Sequence, residues 1–175
     1  PASIQADVNT LMLRSEDGFL PDLDQLRAMV KPNTKLIALT NPNNPTGALI
    51  EQPMLEAIAD IADSVGAYVL CDEVYRGTGQ MGDGKSPSMA DLYDKGISTA
   101  GMSKTFSLAG LRVGWVVAPP EVTEAILIHR DYDTISVGMI NDHFAAIAME
   151  SAEQILARSR DITRTNLAVL EEWIA

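Results

Sequence analysis

Short apolar segments alternate with amphipathic helical segments along the chain, and this alternation restricts the fold more than any other feature. Residues 34–40 form an apolar run that ends at a cluster of proline and asparagine, which predicts a buried strand. Gln52 and Pro53 begin a predicted helix that ends at Gly66, and residues 67–71 are a second predicted strand. Strands that alternate with helices predict an α/β fold, here a three-layer αβα sandwich with a mostly parallel central sheet.

The rest of the chain continues the same alternation. Further strands are predicted at residues 9–14, 97–100 and 112–117. Further helices are predicted after a capping Asp22, from Pro119 and Pro120 to about Arg130, and over residues 139–157 and 160–174. Because no repeat or flexible linker divides the chain, we expect one domain. Only the C-terminal helices are expected to extend beyond it.

Composition excludes several classes of partner. Lys and Arg number 13 against 24 Asp and Glu, so the formal charge is −11, whereas nucleic acid binding needs a basic face. One cysteine cannot form an internal disulfide, and with two histidines it leaves little for a zinc site, so no metal is expected. No apolar run reaches the length of about 18 residues that a membrane span needs, and the cytoplasm is the expected compartment.

The first of three polar segments at strand ends is residues 41–47, with the sequence NPNNPTG. Ligands of open α/β sheets collect at the carboxyl ends of the strands, so polar residues at these ends are candidates for a site. Two prolines and a glycine fix this backbone, and Asn44 can offer an amide donor from the stiff turn. The Asn44-Pro45 peptide bond is a candidate for the cis form. An ordinary β-to-α turn explains the segment equally well.

The second polar segment begins at Asp72, where the second predicted strand ends. A carboxylate at the mouth of a buried strand needs a cation or several donors to offset its desolvation, and a protonated ring nitrogen would serve. Tyr75 follows three residues later and could place its hydroxyl near the same ring. An aspartate that caps the next helix is the alternative.

The third segment carries Lys104, which follows the third predicted strand, and Arg112, which comes eight residues later. A lysine amine forms a Schiff base with a carbonyl, and a guanidinium suits a phosphate. A single lysine is usually a solvated surface residue. An amide, a carboxylate, a phenol, an amine and a guanidinium on successive strand ends, however, together fit one ligand, the phosphate ester of an aromatic pyridine aldehyde.

Residues 101–114, with the sequence GMSKTFSLAGLRVG, resemble the lysine signature of the fold-type I pyridoxal-phosphate-dependent aminotransferases of class I/II. The two earlier segments stand in the order that this family has, and the resemblance extends over essentially the whole chain. It implies pyridoxal 5′-phosphate (PLP) as cofactor and transfer of an amino group from an amino acid to a 2-oxo acid. It also implies small molecules, rather than nucleic acids or membranes, as partners.

The resemblance implies a role for each polar residue. Lys104 matches the lysine that holds the cofactor through a Schiff base and moves the α-proton of the substrate. Asp72 matches the carboxylate that keeps the pyridine nitrogen protonated, so that the ring withdraws electrons. Tyr75 and Asn44 match the pair that hydrogen-bonds the phenolic oxygen of the ring. Arg112 matches the arginine that binds the phosphate.

One position departs from the family pattern. Many relatives have a phosphate-binding serine three positions before the lysine, where this chain has Gly101, so Ser103 is the candidate substitute. Because relatives are longer, we expect residues 1–158 to be part of the large cofactor-binding domain, incomplete at its N-terminal side. Residues 159–175 are then a helix leading toward a missing small domain. Such a piece is expected to be inactive alone. The full-length protein is expected to be a homodimer, with residues 132–138 near the partner's site.

Other functions and motifs compete with this interpretation. Lyases, cyclising synthases and amino-acid oxidases or hydroxylases share the same site chemistry, and non-catalytic PLP-sensing domains of regulators keep the cofactor residues. Residues 77–82 match G-x-G-x-x-G and residues 79–86 match the phosphate-binding loop G-x-x-x-x-G-K-S. Neither has the strand before it and the helix after it that a nucleotide site requires, so a surface loop is expected. Cys71 is predicted to pack in the core rather than to act as a nucleophile.

Overall fold

The computed structural model describes residues 4–80 and 82–175. In that part of the chain, four strands and six helices are present. The strands are β1 (Leu36–Thr40), β2 (Tyr68–Asp72), β3 (Gly96–Gly101) and β4 (Gly114–Val117). The helices are α1 (Leu23–Met29), α2 (Gln52–Asp63), α3 (Met89–Leu92), α4 (Pro120–Arg130), α5 (Met139–Glu150) and α6 (Ala152–Ile174).

The strands form one sheet in the order β1-β2-β3-β4. The first three strands are parallel and β4 is antiparallel to β3, so the predicted α/β fold with a mostly parallel sheet is confirmed. Thr40 pairs with Asp72, Asp72 with Thr99, and Gly101 with Gly114. The carboxyl ends of β1, β2 and β3 therefore share one edge of the sheet with the beginning of β4.

The main core lies between one face of the sheet and α2. Leu55 and Ile58 of α2 are almost fully buried, as are Val69 and Cys71 of β2. Burial of an aliphatic side chain of this size contributes about 1.5–3 kcal/mol, which is why α2 is fixed on this face. The helix has a proline in its first turn, as predicted, and the chain turns away from it at Gly66, whose φ of +69° favours glycine.

The opposite face of the sheet is less covered in the part of the chain that the structure describes. Leu36 and Val116 point to this face and are 49% and 42% exposed. Tyr68 begins β2 on the same face, and its hydroxyl donates a hydrogen bond to Glu121 of α4 (3.1 Å). One helical layer of the predicted sandwich is thus well packed, while the second is represented here chiefly by the contact with α4.

One predicted strand and one predicted helix boundary are wrong. Residues 9–14 do not form a strand, because β1 is the edge strand and no ladder partner lies beside them in the described residues. The break between the last two helices falls at Ser151 rather than at residues 158–159, so α6 is one continuous helix. Residues 158–159 continue the helix, and the neighbouring side chains of Ser159 and Arg160 bind loop carbonyls. The predicted cap at Asp22 is confirmed, since its carboxylate accepts from the backbone N–H groups of Asp24 and Gln25.

Candidate active site

The loop after β1 brings Asn44 to the second polar segment. The amide Nδ2 of Asn44 donates a hydrogen bond to the hydroxyl of Tyr75 (3.4 Å), although the two residues are 31 positions apart in the chain. The Asn44-Pro45 bond is cis, as predicted, and the Asn41-Pro42 bond is cis as well. The loop after β1 thus contacts the segment that follows β2, and Asn44 and Tyr75, which were expected to act as a pair, are in direct contact.

Asn41 holds this loop in place. Its side chain is 1% exposed and bridges the backbone of Ile50, since Nδ2 donates to the Ile50 carbonyl (3.0 Å) and Oδ1 accepts from the Ile50 N–H (2.8 Å). The backbone N–H of Asn41 donates to the carbonyl of Asp72 (2.9 Å). The loop is thereby closed on itself and tied to the end of β2.

Replacement of Asn41 by alanine is expected to lower the free energy of unfolding by about 2–4 kcal/mol. The substitution leaves a buried N–H and a buried C=O of Ile50 without partners, and each such group costs about 1–3 kcal/mol. Urea unfolding followed by circular dichroism measures the change. Asn43→Ala is the matched control, because Asn43 loses only an exposed hydrogen bond to Thr46. Equal unfolding midpoints for the two variants would contradict the expectation.

Asp72 ends β2 at the shared edge of the sheet. Its Oδ1 accepts from the Val74 N–H (3.2 Å) and from the Thr99 hydroxyl (3.4 Å), and both donors are neutral. In the described part of the chain the carboxylate forms no ion pair. No helix follows it directly, since the next one begins at Met89, so the helix-cap alternative fails. The half-buried carboxylate thus has acceptor capacity left for a cationic donor.

Lys104 lies in a tight turn three residues after β3. The Ser107 N–H donates to the Lys104 carbonyl (2.9 Å), and Ser107 has a φ of +58°, an unusual conformation for a residue other than glycine. The Lys104 side chain lines an open cavity of about 360 Å³ together with Tyr75 and Ser103. The structure therefore brings the predicted amine and the predicted phenol to one cavity.

Arg112 comes to the same edge because β4 runs antiparallel to β3. Its backbone is left-handed (φ +53°), and its Nη1 donates to the Ala109 carbonyl (3.0 Å) and to the Ser103 hydroxyl (3.4 Å). These contacts use only part of the five N–H donors of a guanidinium. Ser103 and Arg112 are thus neighbours, as a shared phosphate-binding role requires.

Glu73 is a buried acidic residue that the sequence reasoning missed. Its side chain is 5% exposed, and Oε1 accepts from the Ser98 hydroxyl (2.8 Å), the Ser88 hydroxyl (3.2 Å) and the Met89 N–H (2.8 Å). The two serine hydroxyl oxygens lie 2.7 Å apart, so both serines pack against the same carboxylate oxygen. The network fixes the segment that follows Asp72 against β3 and the start of α3. Only the position beside Asp72 could have pointed to it in the sequence.

The Cys71 thiol is predicted to resist modification in the folded protein. Cys71 is buried, and burial together with the nearby Glu73 carboxylate raises its pKa well above the ordinary value. Since the thiolate is the reactive form, a raised pKa leaves almost none of it at pH 8. Alkylation by iodoacetamide should be at least about tenfold slower in the native protein than in urea, as followed by mass spectrometry. Equal rates in the two states would show that the thiol is accessible.

The loop with the two nucleotide-type motifs is built differently from a phosphate site. We call residues 77–84 the glycine loop; residue 81 lies outside the described residues. The N–H groups of Gly77 and Gly79 both donate to the Gly84 carbonyl (3.1 Å each). A phosphate-binding loop instead keeps such N–H groups for the ligand. The contacts support the sequence reasoning against a nucleotide site, and they add that the loop is internally closed.

The described residues contain neither a metal cluster nor a membrane-spanning helix. In the ranges 4–80 and 82–175, no group of three or more His, Cys, Asp or Glu side chains is arranged to hold a metal ion. Across these ranges, none of the helices combines the length and the apolar character needed to span a bilayer.

Comparison with known proteins identifies the family. The family model described as "Aminotransferase class I and II" matches residues 2–169. The chain belongs to this family. Family membership implies PLP as the cofactor, and the donor set fits it. An amine and a phenol line one cavity, and a guanidinium lies at the same sheet edge as a carboxylate that has no cationic partner among the described residues.

Similar proteins in this aminotransferase family carry several functions in their names. Capreomycidine synthase from Streptomyces vinaceus is 32% identical over 93% of this chain and 42% of its own length. Aspartate/prephenate aminotransferase from Thermus thermophilus is 29% identical over 95% of this chain and 45% of its own length. A crystal structure of a PLP-dependent aminotransferase from Streptococcus suis superposes with a TM-score of 0.93 and 43% identity, covering 99% of this chain and 46% of that one. The chain thus spans less than half the length of these relatives.

Proposed function

We propose that the full-length protein is a PLP-dependent aminotransferase that moves an amino group between an amino acid and a 2-oxo acid. The observation that carries the proposal is the shared edge of the sheet: Asp72 ends β2 there, and Arg112 contacts Ser103, which lines one cavity with Lys104 and Tyr75. Each of these groups matches a different part of one cofactor. Membership of the class I and II aminotransferases supports the same reaction.

The cofactor supplies an aldehyde that condenses with amines and a pyridine ring that withdraws electrons when its nitrogen is protonated. Asp72 would accept the hydrogen bond of that protonated nitrogen, because its carboxylate is half buried and is otherwise contacted by neutral donors. A negative charge at this place keeps a proton on a basic nitrogen. Asp72 would therefore keep the ring in its electron-withdrawing form.

Lys104 would hold the aldehyde carbon through its amine and, when a substrate amine displaces it, carry the α-proton of the substrate. The exposed position of the amine at the cavity wall suits both tasks, since a general base must reach the proton that it moves. Tyr75 would donate its hydroxyl hydrogen to the phenolic oxygen of the ring. Asn44, which already donates to Tyr75, orients that hydroxyl.

Arg112 and Ser103 would bind the phosphate. The guanidinium is anchored by the Ala109 carbonyl, and the Ser103 hydroxyl lies 3.4 Å from it. A guanidinium that is fixed on one side can present its remaining N–H groups to a phosphate at little entropic cost. Ser103 and Arg112 would together replace the phosphate-binding serine hydroxyl that many relatives have at the position of Gly101.

We also propose a homodimer, a cytoplasmic location and a second domain for the full-length protein. Tyr132 and Met139 are 90% and 85% exposed, and Ile140 beside them is largely exposed, so residues 132–140 offer apolar surface for a second copy. Trp173 near the end of α6 is 81% exposed, which supports a further domain beyond residues 159–175. Sedimentation of the full-length protein tests the dimer, cell fractionation tests the location, and limited proteolysis tests the domain.

A screen of amino donors tests the proposed reaction. Full-length protein saturated with PLP is mixed with single amino acids, and the visible spectrum and the release of 2-oxo acid are recorded. Transfer predicts that one donor changes the spectrum and releases its 2-oxo acid in a single turnover, and that an added 2-oxo acid acceptor restores the spectrum. Bound cofactor with no 2-oxo acid from any donor would contradict the proposal.

A synthase reaction is the second candidate, because one of the similar proteins is named capreomycidine synthase. The same screen separates the two functions. A synthase would convert an amino acid repeatedly without an acceptor and without releasing a 2-oxo acid. An aminotransferase would stop after one turnover until the acceptor is added.

A further inference from the structure

Helix α6 contacts both segments that carry the candidate catalytic groups. On one side, the buried Ser159 donates its hydroxyl hydrogen to the carbonyl of Thr105 (2.7 Å), the residue after Lys104. Ile162 and Thr163 of the same helix line the same cavity as Lys104. The turn of Lys104 is therefore fixed against α6 directly.

On the other side, two arginines of α6 bind the glycine loop that follows Tyr75. Arg160 Nη1 donates to the carbonyl of Gly77 (3.3 Å). Arg164 Nη2 donates to the carbonyls of Gly79 (2.8 Å) and Gly82 (2.9 Å). The arginines are four residues apart and so lie on one face of the helix. Hydrogen bonds from a charged donor are stronger than neutral ones, so this is a firm attachment.

The attachment reaches Tyr75 through Thr78. The carbonyl of Tyr75 accepts from the Thr78 N–H (3.2 Å) and from the Thr78 hydroxyl (2.7 Å). Thr78 lies between Gly77 and Gly79, whose carbonyls the two arginines bind. A displacement of the glycine loop would therefore move the backbone of Tyr75.

The glycines of this loop are explained by the same contact. A Cβ on Gly84 would lie 2.7 Å from Cδ of Arg160, and one on Gly77 would lie 3.1 Å from the side chain of Leu156 in α6. Both glycines also have positive φ values, +73° and +96°. The glycine spacing that imitates a nucleotide motif thus permits close packing of the loop on α6.

We propose that Arg160 and Arg164 are positioning residues that set the place of Tyr75 relative to Lys104. This inference rests on the proposed function, since it concerns the Tyr75 hydroxyl beside the cofactor ring. A Tyr75 hydroxyl in place would donate to the phenolic oxygen of the bound ring and would thereby favour the deprotonated form of the chromophore, which lowers its pKa. Loosening the glycine loop should therefore raise the pKa of the bound chromophore.

The test compares three substitutions on one helix in the full-length protein. Arg164→Ala removes two loop contacts and Arg160→Ala removes one, whereas Arg158→Ala is the control, because Arg158 is exposed and forms no hydrogen bond or ion pair within the described residues. The first readout is the visible absorbance of the PLP-loaded protein against pH. The second is amide hydrogen exchange of residues 75–85 in the protein without cofactor.

Arg164→Ala is expected to raise the spectroscopic pKa by about half to one pH unit and to speed exchange in residues 75–85. Arg160→Ala should shift both readouts less, and Arg158→Ala should match the wild type. A spectroscopic pKa equal to that of the wild type in both Arg164→Ala and Arg160→Ala would overturn the inference. If Arg164→Ala does not fold, Arg160→Ala and the conservative Arg164→Lys decide the question by the same readouts. A wild-type protein that binds no PLP would instead refute the proposed function, while the exchange data would still test the attachment.

Discussion

Replacement of Lys104 by alanine is expected to reduce turnover of the full-length protein by at least about 10⁴-fold. Lys104 is the one amine among the residues that line the cavity in the described part of the chain, so no neighbour can take over its two tasks. Loss of a positioned proton-transfer group alone costs about 10²–10⁴-fold, and loss of covalent attachment adds to this. Steady-state turnover with the best donor from the screen measures the effect.

The matched control for this prediction is Lys35→Ala. Lys35 is exposed and precedes β1, at the end of the sheet opposite the candidate site, so its loss should leave turnover unchanged. Circular dichroism and thermal unfolding of both variants show whether the fold is retained. Turnover of Lys104→Ala within tenfold of the Lys35→Ala value would contradict the assigned role.

The second large effect is expected for Asp72→Asn, with a loss of about 10³-fold in turnover. Asparagine has the same shape and can still accept from Val74 and Thr99, so the end of β2 should keep its structure. Only the negative charge is lost, and in the proposed role of Asp72 this charge keeps a proton on the ring nitrogen, so that the ring withdraws electrons. Turnover with saturating PLP, together with the cofactor content of the purified variant, separates lost chemistry from lost binding.

Asp60→Ala is the control for this substitution, because Asp60 is an exposed carboxylate on α2 whose side chain makes no hydrogen bond in the described residues. It removes one negative charge from the same chain without touching the sheet edge. Wild-type turnover in Asp72→Asn that holds its cofactor would show that the carboxylate does not serve the ring nitrogen.

The sequence predicted those features that depend on neighbours along the chain. The strands around residues 34–40 and 67–71 are evident from apolar runs with local stop signals, and their ends place Asn44 and Asp72 at one edge without further information. Lys104 follows from the next strand in the same way. Arg112 joins them because β4 returns antiparallel to β3 after the connection formed by residues 102–113.

The features that the sequence did not reveal depend on distant partners. Residues 9–14 have an apolar pattern, but a strand also needs a neighbour, and no local signal supplies that information. The predicted break at residues 158–159 does not occur, and the loop carbonyls that Arg160 and Arg164 bind in this part of α6 lie more than 80 residues earlier in the chain. Glu73 binds Ser98 across 25 residues, so its burial could not be read from its own segment.

Reductive trapping shows directly whether Lys104 carries the cofactor. Full-length protein loaded with PLP is treated with borohydride, digested, and mapped by tandem mass spectrometry. The predicted result is one phosphopyridoxyl group on the peptide that contains Lys104, with no adduct in Lys104→Ala. An adduct at another lysine of the fully loaded wild-type protein, or an adduct that persists in Lys104→Ala, would contradict the assignment.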